Sequence, residues 1–184
     1  MQHWQVQRDG RPAHGLILAP YESGTTTLLA RIARAATAAG MRTWHADPLA
    51  LDPVMAQACD WASEHPGQVV DAALARSHPV PTLLLVDHAH HAVEDRLADW
   101  ERLAERGPGR GIALVAATPT LTHSGLGSAL LRDELAQSQY AVLGDLGVHG
   151  RADAARALPD CPDHPGGGVY VRPARTPAPA RAAA

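Results

Sequence analysis

Short apolar runs alternate along this chain with longer stretches whose apolar residues recur at helical spacing. That alternation predicts an α/β fold with a mainly parallel sheet, because parallel neighbours need a crossover helix between them. Residues 16–19, Leu-Ile-Leu-Ala, read as the first strand. From Thr26 the positions Leu28, Leu29, Ile32, Ala35, Ala36 and Ala39 keep a helical period, and Gly40 supplies the stop. Residues 43–46 form a short second strand ended by Asp47-Pro48. Two helices are expected over 54–62 and 69–76, with His65-Pro66-Gly67 as the break between them. Residues 82–86, bounded by Pro79 and Pro81 before and Asp87 after, are the clearest buried strand. Val93, Leu97, Trp100 and Ala104 mark one face of a helix that closes at Gly107-Pro108-Gly109. A fourth strand over 112–117, a helix over 126–136 and a fifth strand over 140–143 follow. Past Gly144 the pattern weakens, and Gly166-Gly167-Gly168 before Val169-Tyr170-Val171 reads as a turn and a last short strand. Residues 1–171 are expected to form one domain. Residues 172–184, rich in Pro, Ala and Arg, read as a disordered tail.

Composition narrows the function more than the fold. A chain of 184 residues with 46% apolar and 19% charged positions is long enough to bury a core without covalent staples. No apolar run approaches a membrane span, and Met1-Gln2-His3-Trp4-Gln5 lacks the layout of a secretory signal, so the expected address is the cytoplasm. Cys59 and Cys161 stand far apart and indicate neither a disulfide framework nor a zinc knuckle. All sixteen basic residues are arginine, so no ammonium group is available to reach a nucleotide phosphate. A net charge of −3 argues against broad DNA binding, which grows with the number of phosphates neutralised. DNA contact is therefore expected to be weak or indirect.

The candidate chemistry begins in the loop after the first strand, Ala19-Pro20-Tyr21-Glu22-Ser23-Gly24-Thr25-Thr26. A strand, a glycine-bearing loop and hydroxyl residues opening a helix is the layout of a phosphate-binding loop. Backbone N–H groups and the positive end of the helix dipole converge there on an anion. Against the full pattern G-x-x-x-x-G-K-[ST], Ala19 stands at the first glycine, Gly24 at the second, Thr25 at the lysine and Thr26 at the metal-binding hydroxyl. Alone, with two of four defining positions departing, the segment reads as a tight strand-to-helix turn with Thr25 or Ser23 as an ordinary N-cap. A second signal joins it: Leu83-Leu84-Leu85-Val86-Asp87 is an apolar strand ending in an acid, as expected of a Walker B aspartate that holds a Mg²⁺ water shell. The ordinary alternative for Asp87 is a strand-end cap. His88 follows where a glutamate would orient the attacking water.

Trp100-Glu101-Arg102-Leu103-Ala104-Glu105-Arg106-Gly107, then Arg110-Gly111-Ile112-Ala113-Leu114-Val115-Ala116-Ala117-Thr118-Pro119, resembles the FtsK/SpoIIIE part of the FtsK–HerA superfamily. Gly125-Leu126-Gly127-Ser128, Leu131-Arg132 and Asp47-Pro48 extend the likeness, which covers about residues 15–143 and faintly 166–172. The resemblance implies a three-layer P-loop NTPase fold, RecA/ASCE-like, with a mainly parallel five-stranded sheet in the order 5-1-4-3-2. It implies that Ser23, Gly24, Thr25, Thr26 and Thr27 line a nucleotide site, that Asp87 and Thr118 face it, and that Thr26 and Asp87 would hold Mg²⁺. Arg132 would reach a neighbouring subunit's nucleotide, or serve as a surface helix arginine. Members of the family are ring motors that move DNA or drive protein export, so a protein partner or a homo-oligomer is implied. Ala19, Thr25, His88 and Pro119 depart from the family pattern at the first glycine, the lysine, the glutamate and the sensor glutamine.

Three readings of function follow. One is a nucleotide-binding or regulatory assembly module with ATP and Mg²⁺ bound weakly or not at all and little hydrolysis. Another is an active ATPase subunit of a transfer or secretion motor, with Asp87 and His88 as its catalytic candidates. The third is an interaction module that no longer uses nucleotide. His88, His90 and His91 cluster after the third strand as a weak transition-metal candidate or a chance grouping among eleven histidines. Trp61 and Trp100 read as core or interface anchors on amphipathic helical faces.

Overall fold

The computed structural model describes residues 4–75, 80–122, 126–161 and, as backbone, 169–172. At its centre is a seven-stranded sheet. A small hairpin comes first, β1 (Gln7–Arg8) and β2 (Arg11–Pro12), turned by Asp9 and Gly10 at φ 49° and 75°. Asp-Gly favours this turn because both central positions need positive φ. The sheet then takes β3 (Gly15–Leu18), β4 (Arg42–Ala46), β5 (Trp61–Ser63), β6 (Thr82–Val86), β7 (Ile112–Thr118), β8 (Tyr140–Leu143) and β9 (Val169–Arg172). Its order is β5-β4-β6-β7-β3-β8-β9, parallel except for β9, which runs antiparallel to β8. The five expected strands stand in the expected relative order. The last short strand expected at 169–171 adds β9 at one edge, and β5, which was not expected, adds the other.

Helices α1 (Thr25–Ala38) and α2 (Pro53–Ala58) cover one face. The other face carries α3 (Pro66–Ala75), α5 (Leu97–Arg106), α6 (Ala129–Ser138) and α7 (Gly147–Ala157), reached past the short α4 (Ala89–Ala92). The strand period of two divides the core. Leu83 and Leu85 face α1 with Ile17, Leu29, Met55 and Val115, whereas Leu84 and Val86 face α5 with Leu16, Trp100, Leu103 and Leu114. Trp100 is fully buried, as an anchor of that second layer.

Several expectations change. The helix expected over 54–62 ends at Ala58, and Trp61 lies instead on strand β5, edge-on to Trp44 at 5.2 Å between ring centroids. Asp60 directs this: its carboxylate accepts from the Thr43 N–H at 2.8 Å, and its own N–H donates to the Thr43 carbonyl, so the chain is drawn alongside β4. Pro66 and Gly67 open α3 rather than break it, since proline loses nothing in a first turn whose N–H groups have no partner within the helix. Val93 falls between α4 and a 3₁₀ turn over Glu94–Arg96, not inside α5. Helix α6 starts at Ala129 because Gly127 takes φ 68° and the Ser128 hydroxyl caps the Leu131 N–H. Helix α7 had no clear signal. Arg172, placed in the tail by composition, pairs with Tyr140; the turn at 166–168 and the rest of the tail lie outside the described residues.

Candidate functional site

The loop between β3 and α1 keeps the geometry of an anion cradle. Gly24 takes φ 92° and ψ 21°, the left-handed region that glycine enters without a Cβ penalty. Glu22 is left-handed as well, at φ 62°, where a side chain is disfavoured. No side chain caps α1 and no acid lies in its first turn, so its leading N–H groups and dipole open toward a cleft of about 300 Å³. Gly24, Thr25, Thr26, Thr27, Asp87, His88 and Thr118 all line that cleft. Tyr21 and Pro119 join them.

Ser23 is different. Its hydroxyl donates to the Pro20 carbonyl at 2.6 Å, and it is not among the lining residues. It braces the loop rather than facing an anion. Arg132 lies elsewhere too, in a surface pocket between α6 and the end of α7, with its guanidinium on Asp133 at 2.8 Å. Thr118 donates to the Thr120 carbonyl at 3.0 Å, which fixes the strand's polar end beside Pro119.

Opposite the loop, β6 places Asp87 almost wholly buried. Burial lifts its carboxyl above the usual carboxylate range, against the pull of the His88 N–H that donates to Oδ1 at 2.9 Å. His88 turns through φ 46° and ψ 43°, and its Nδ1 sits 3.0 Å from Asp47 Oδ1. Asp47 is a site residue that sequence reasoning missed. Its signal was available, because β4 and β6 each end in an aspartate, but only the pairing of Ala46 with Val86 brings the two side by side. Thr26 and Asp87 share the cleft, and a buried carboxylate with a threonine hydroxyl is the oxygen set that Mg²⁺ takes. Bound there, the ion would screen negative charge on a nucleotide's phosphates.

The three histidines part company. His88 pairs with Asp47, whereas His90 Nε2 meets the Tyr21 hydroxyl at 3.2 Å, with its ring centroid 4.1 Å from that of His91. Tyr21 also lies stacked over His88 at 5.9 Å, walling one side of the cleft. Among the described residues the metal-capable group is Asp47, Asp87 and His88, not the run of histidines. No cysteine lines the cleft, and burial pushes the Cys59 thiol up to about 12.

No family model matches the sequence, and no curated protein does. Solved structures match its shape. The genome packaging NTPase B204 from Sulfolobus turreted icosahedral virus 2, in complex with ATPγS, superposes with a TM-score of 0.57 at 10% identity, covering 79% of this chain and 81% of its own. The cytoplasmic domain of the type VII secretion ATPase EccC from Thermomonospora curvata gives 0.63 at 16% identity over 90% of this chain and 24% of that one. The chain shares the α/β fold of these ATPase domains. ATPases 2 and 3 of EssC from Geobacillus thermodenitrificans share this P-loop fold with a TM-score of 0.50 at 14% identity, over 71% of this chain and 32% of theirs. The chain thus spans about a quarter to a third of the secretion ATPases it matches. Among the described residues of this P-loop domain, no helix is long and apolar enough to cross a membrane.

Proposed function

We propose that the chain is a nucleotide-binding module that holds ATP weakly at residues 24–27, hydrolyses it little, and acts by assembling with a protein partner or with copies of itself. The supporting observation is a division within one cleft. Gly24 and the uncapped α1 present backbone N–H groups across the cleft from the buried Asp87 carboxyl, while Thr25 and His88 stand where a P-loop ATPase has its lysine and glutamate. The helix end alone attracts phosphate modestly. Losing one charge-assisted contact removes a few kcal/mol, or about two orders of magnitude in affinity. The ATPγS held by B204 favours ATP as the ligand class, and EssC carries such ATPases in series, which favours assembly. The acidic balance of the chain leaves DNA a minor partner.

Calorimetric titration with ATP, with and without Mg²⁺, tests this alongside a phosphate-release assay. Weak, Mg²⁺-strengthened binding with release near background is the expected result, and no binding at millimolar ATP would sink it. Thr25→Lys should tighten ATP by roughly 100-fold, the reverse of the loss above. One observation favours hydrolysis as a second reading: Asp47 holds the His88 imidazole at 3.0 Å, the arrangement that orients a general base. Under that reading phosphate release is measurable and falls to background in both Asp87→Ala and His88→Ala.

A further inference from the structure

Two neighbouring strands end in aspartates at one level. Because Ala46 pairs with Val86, Asp47 and Asp87 follow side by side, and both are buried. His88 Nδ1 lies 3.0 Å from Asp47 Oδ1 and 3.9 Å from Asp87 Oδ1. One ligand atom from each of the three falls within 4.8 Å of the others. A tetrahedral ion at about 2.1 Å from nitrogen and oxygen donors needs those donors roughly 3.4 Å apart. The two nitrogen–oxygen separations bracket that value. Among the described residues, His88 is the only ion-pair partner of either carboxyl, so two buried acids share one imidazole. A dication would offset that charge as no side chain does.

A second observation comes from His45. It lies two residues before Asp47, on the same face of the sheet, and is completely buried. Among the described residues neither of its ring nitrogens has a hydrogen-bond partner. A neutral imidazole with a free lone pair is the form that binds a metal or a metal-bound water.

We propose that Asp47, Asp87 and His88, with the His45 imidazole on their buried side, form a binding site for a divalent first-row transition ion of the zinc type. Magnesium prefers an all-oxygen shell and keeps its waters, whereas one or two imidazoles with two carboxylates suit zinc, cobalt or manganese. The site shares Asp87 with the ATP reading but needs no nucleotide. It changes the meaning of His88, which leaves the role of a missing glutamate and becomes the nitrogen that selects the ion.

The test uses the full chain, stripped with chelator and free of nucleotide, titrated with Zn²⁺ by calorimetry and with Co²⁺ by visible absorption. One ion per chain is expected, with a cobalt d–d spectrum showing nitrogen and oxygen ligation and a raised thermal midpoint on zinc addition. His88→Gln and Asp47→Asn should each weaken binding at least tenfold, with circular dichroism checking that both variants stay folded. His91→Ala and His149→Ala, at exposed positions, should leave it unchanged. Should Asp47→Asn unfold, the half-exposed His88→Gln decides alone. No binding, binding that survives His88→Gln, binding lost only in the exposed-histidine variants, or Mg²⁺ binding as tight as Zn²⁺ would each overturn the proposal. Because ATP is absent throughout, failure here leaves the nucleotide reading standing, and failure of ATP binding leaves this one.

Discussion

Asp87 carries opposing demands of stability and chemistry in one side chain. Its folded-state pKa is raised by burial, so this group favours folding only while both states are protonated. As pH rises past the ordinary value of 3.8 toward the raised one, that contribution is lost, and at neutral pH the folded chain bears the strain of a buried anion. Asp87→Asn keeps an oxygen to accept the His88 N–H and removes the charge. The variant should melt higher at pH 7, by about 2–4 °C for each kcal/mol recovered in a domain of this size, with the gain shrinking below about pH 4. Scanning calorimetry across pH checks it, and an unchanged or lower midpoint at pH 7 would show that the carboxylate is already compensated. The acid was legible as the end of an apolar run. Its partner Asp47 was not, because the two are forty residues apart and meet only through strand register.

Among the elements, caps and close approaches decide where helices stop and start. The Ser128 hydroxyl accepts from the Leu131 N–H at 3.2 Å and contacts the Glu101 carboxylate, tying the start of α6 to α5. Ser128→Ala should cost about 1 kcal/mol, read as a shift in the denaturant midpoint with an unchanged slope. Gly107 ends α5 for a steric reason. A Cβ there would lie 2.7 Å from the Ile112 carbonyl and against that of Leu103, both backbone atoms with little freedom to move. Gly107→Ala should therefore destabilise by about 1–3 kcal/mol, the range for overpacking, though helix propensity alone favours alanine. A neutral result would mean that the α5–β7 connection is free to shift. Gly107 was visible as a stop, but Ser128 stood inside the helix expected over 126–136 and its capping role was not. Strand β5 was not, because three residues give too short a pattern, and the Asp60–Thr43 contacts that hold them to β4 are tertiary.

For the molecule as a whole, two buried histidines set the response to acid. His14 sits between the sheet and α5, where its Nδ1 accepts from the Leu114 N–H at 2.9 Å, and burial lowers it from 6.5 to about 4. His45 is lowered to about the same value, also by burial. In the unfolded chain both take up protons near pH 6.5, while in the folded chain they do so only near 4. Their stabilisation is therefore present above pH 6.5 and is lost as pH falls to about 4, by roughly 3 kcal/mol for each at full burial. The denaturation midpoint should fall across that window, and His14→Gln should flatten the fall. A stability profile level between pH 7 and 4.5 would contradict it.

What the sequence by itself determined is the layered α/β plan, with its alternating strands and helices and a glycine-bearing turn after the first strand. These follow from local periodicity and from glycine, proline and hydroxyl residues acting within a few positions of themselves. Whatever depended on distant parts of the chain meeting was decided by the tertiary structure: the edge strand at Trp61, the inward turn of Ser23, and the separation of His88 from His90. The same is true of the loop's partner. Sequence showed a phosphate loop without its lysine and glutamate, and register then brought Asp47 and His45 into reach of Asp87 and His88. Periodicity is carried by neighbours in the chain, but a site's electrostatics arise from residues that only the sheet makes neighbours.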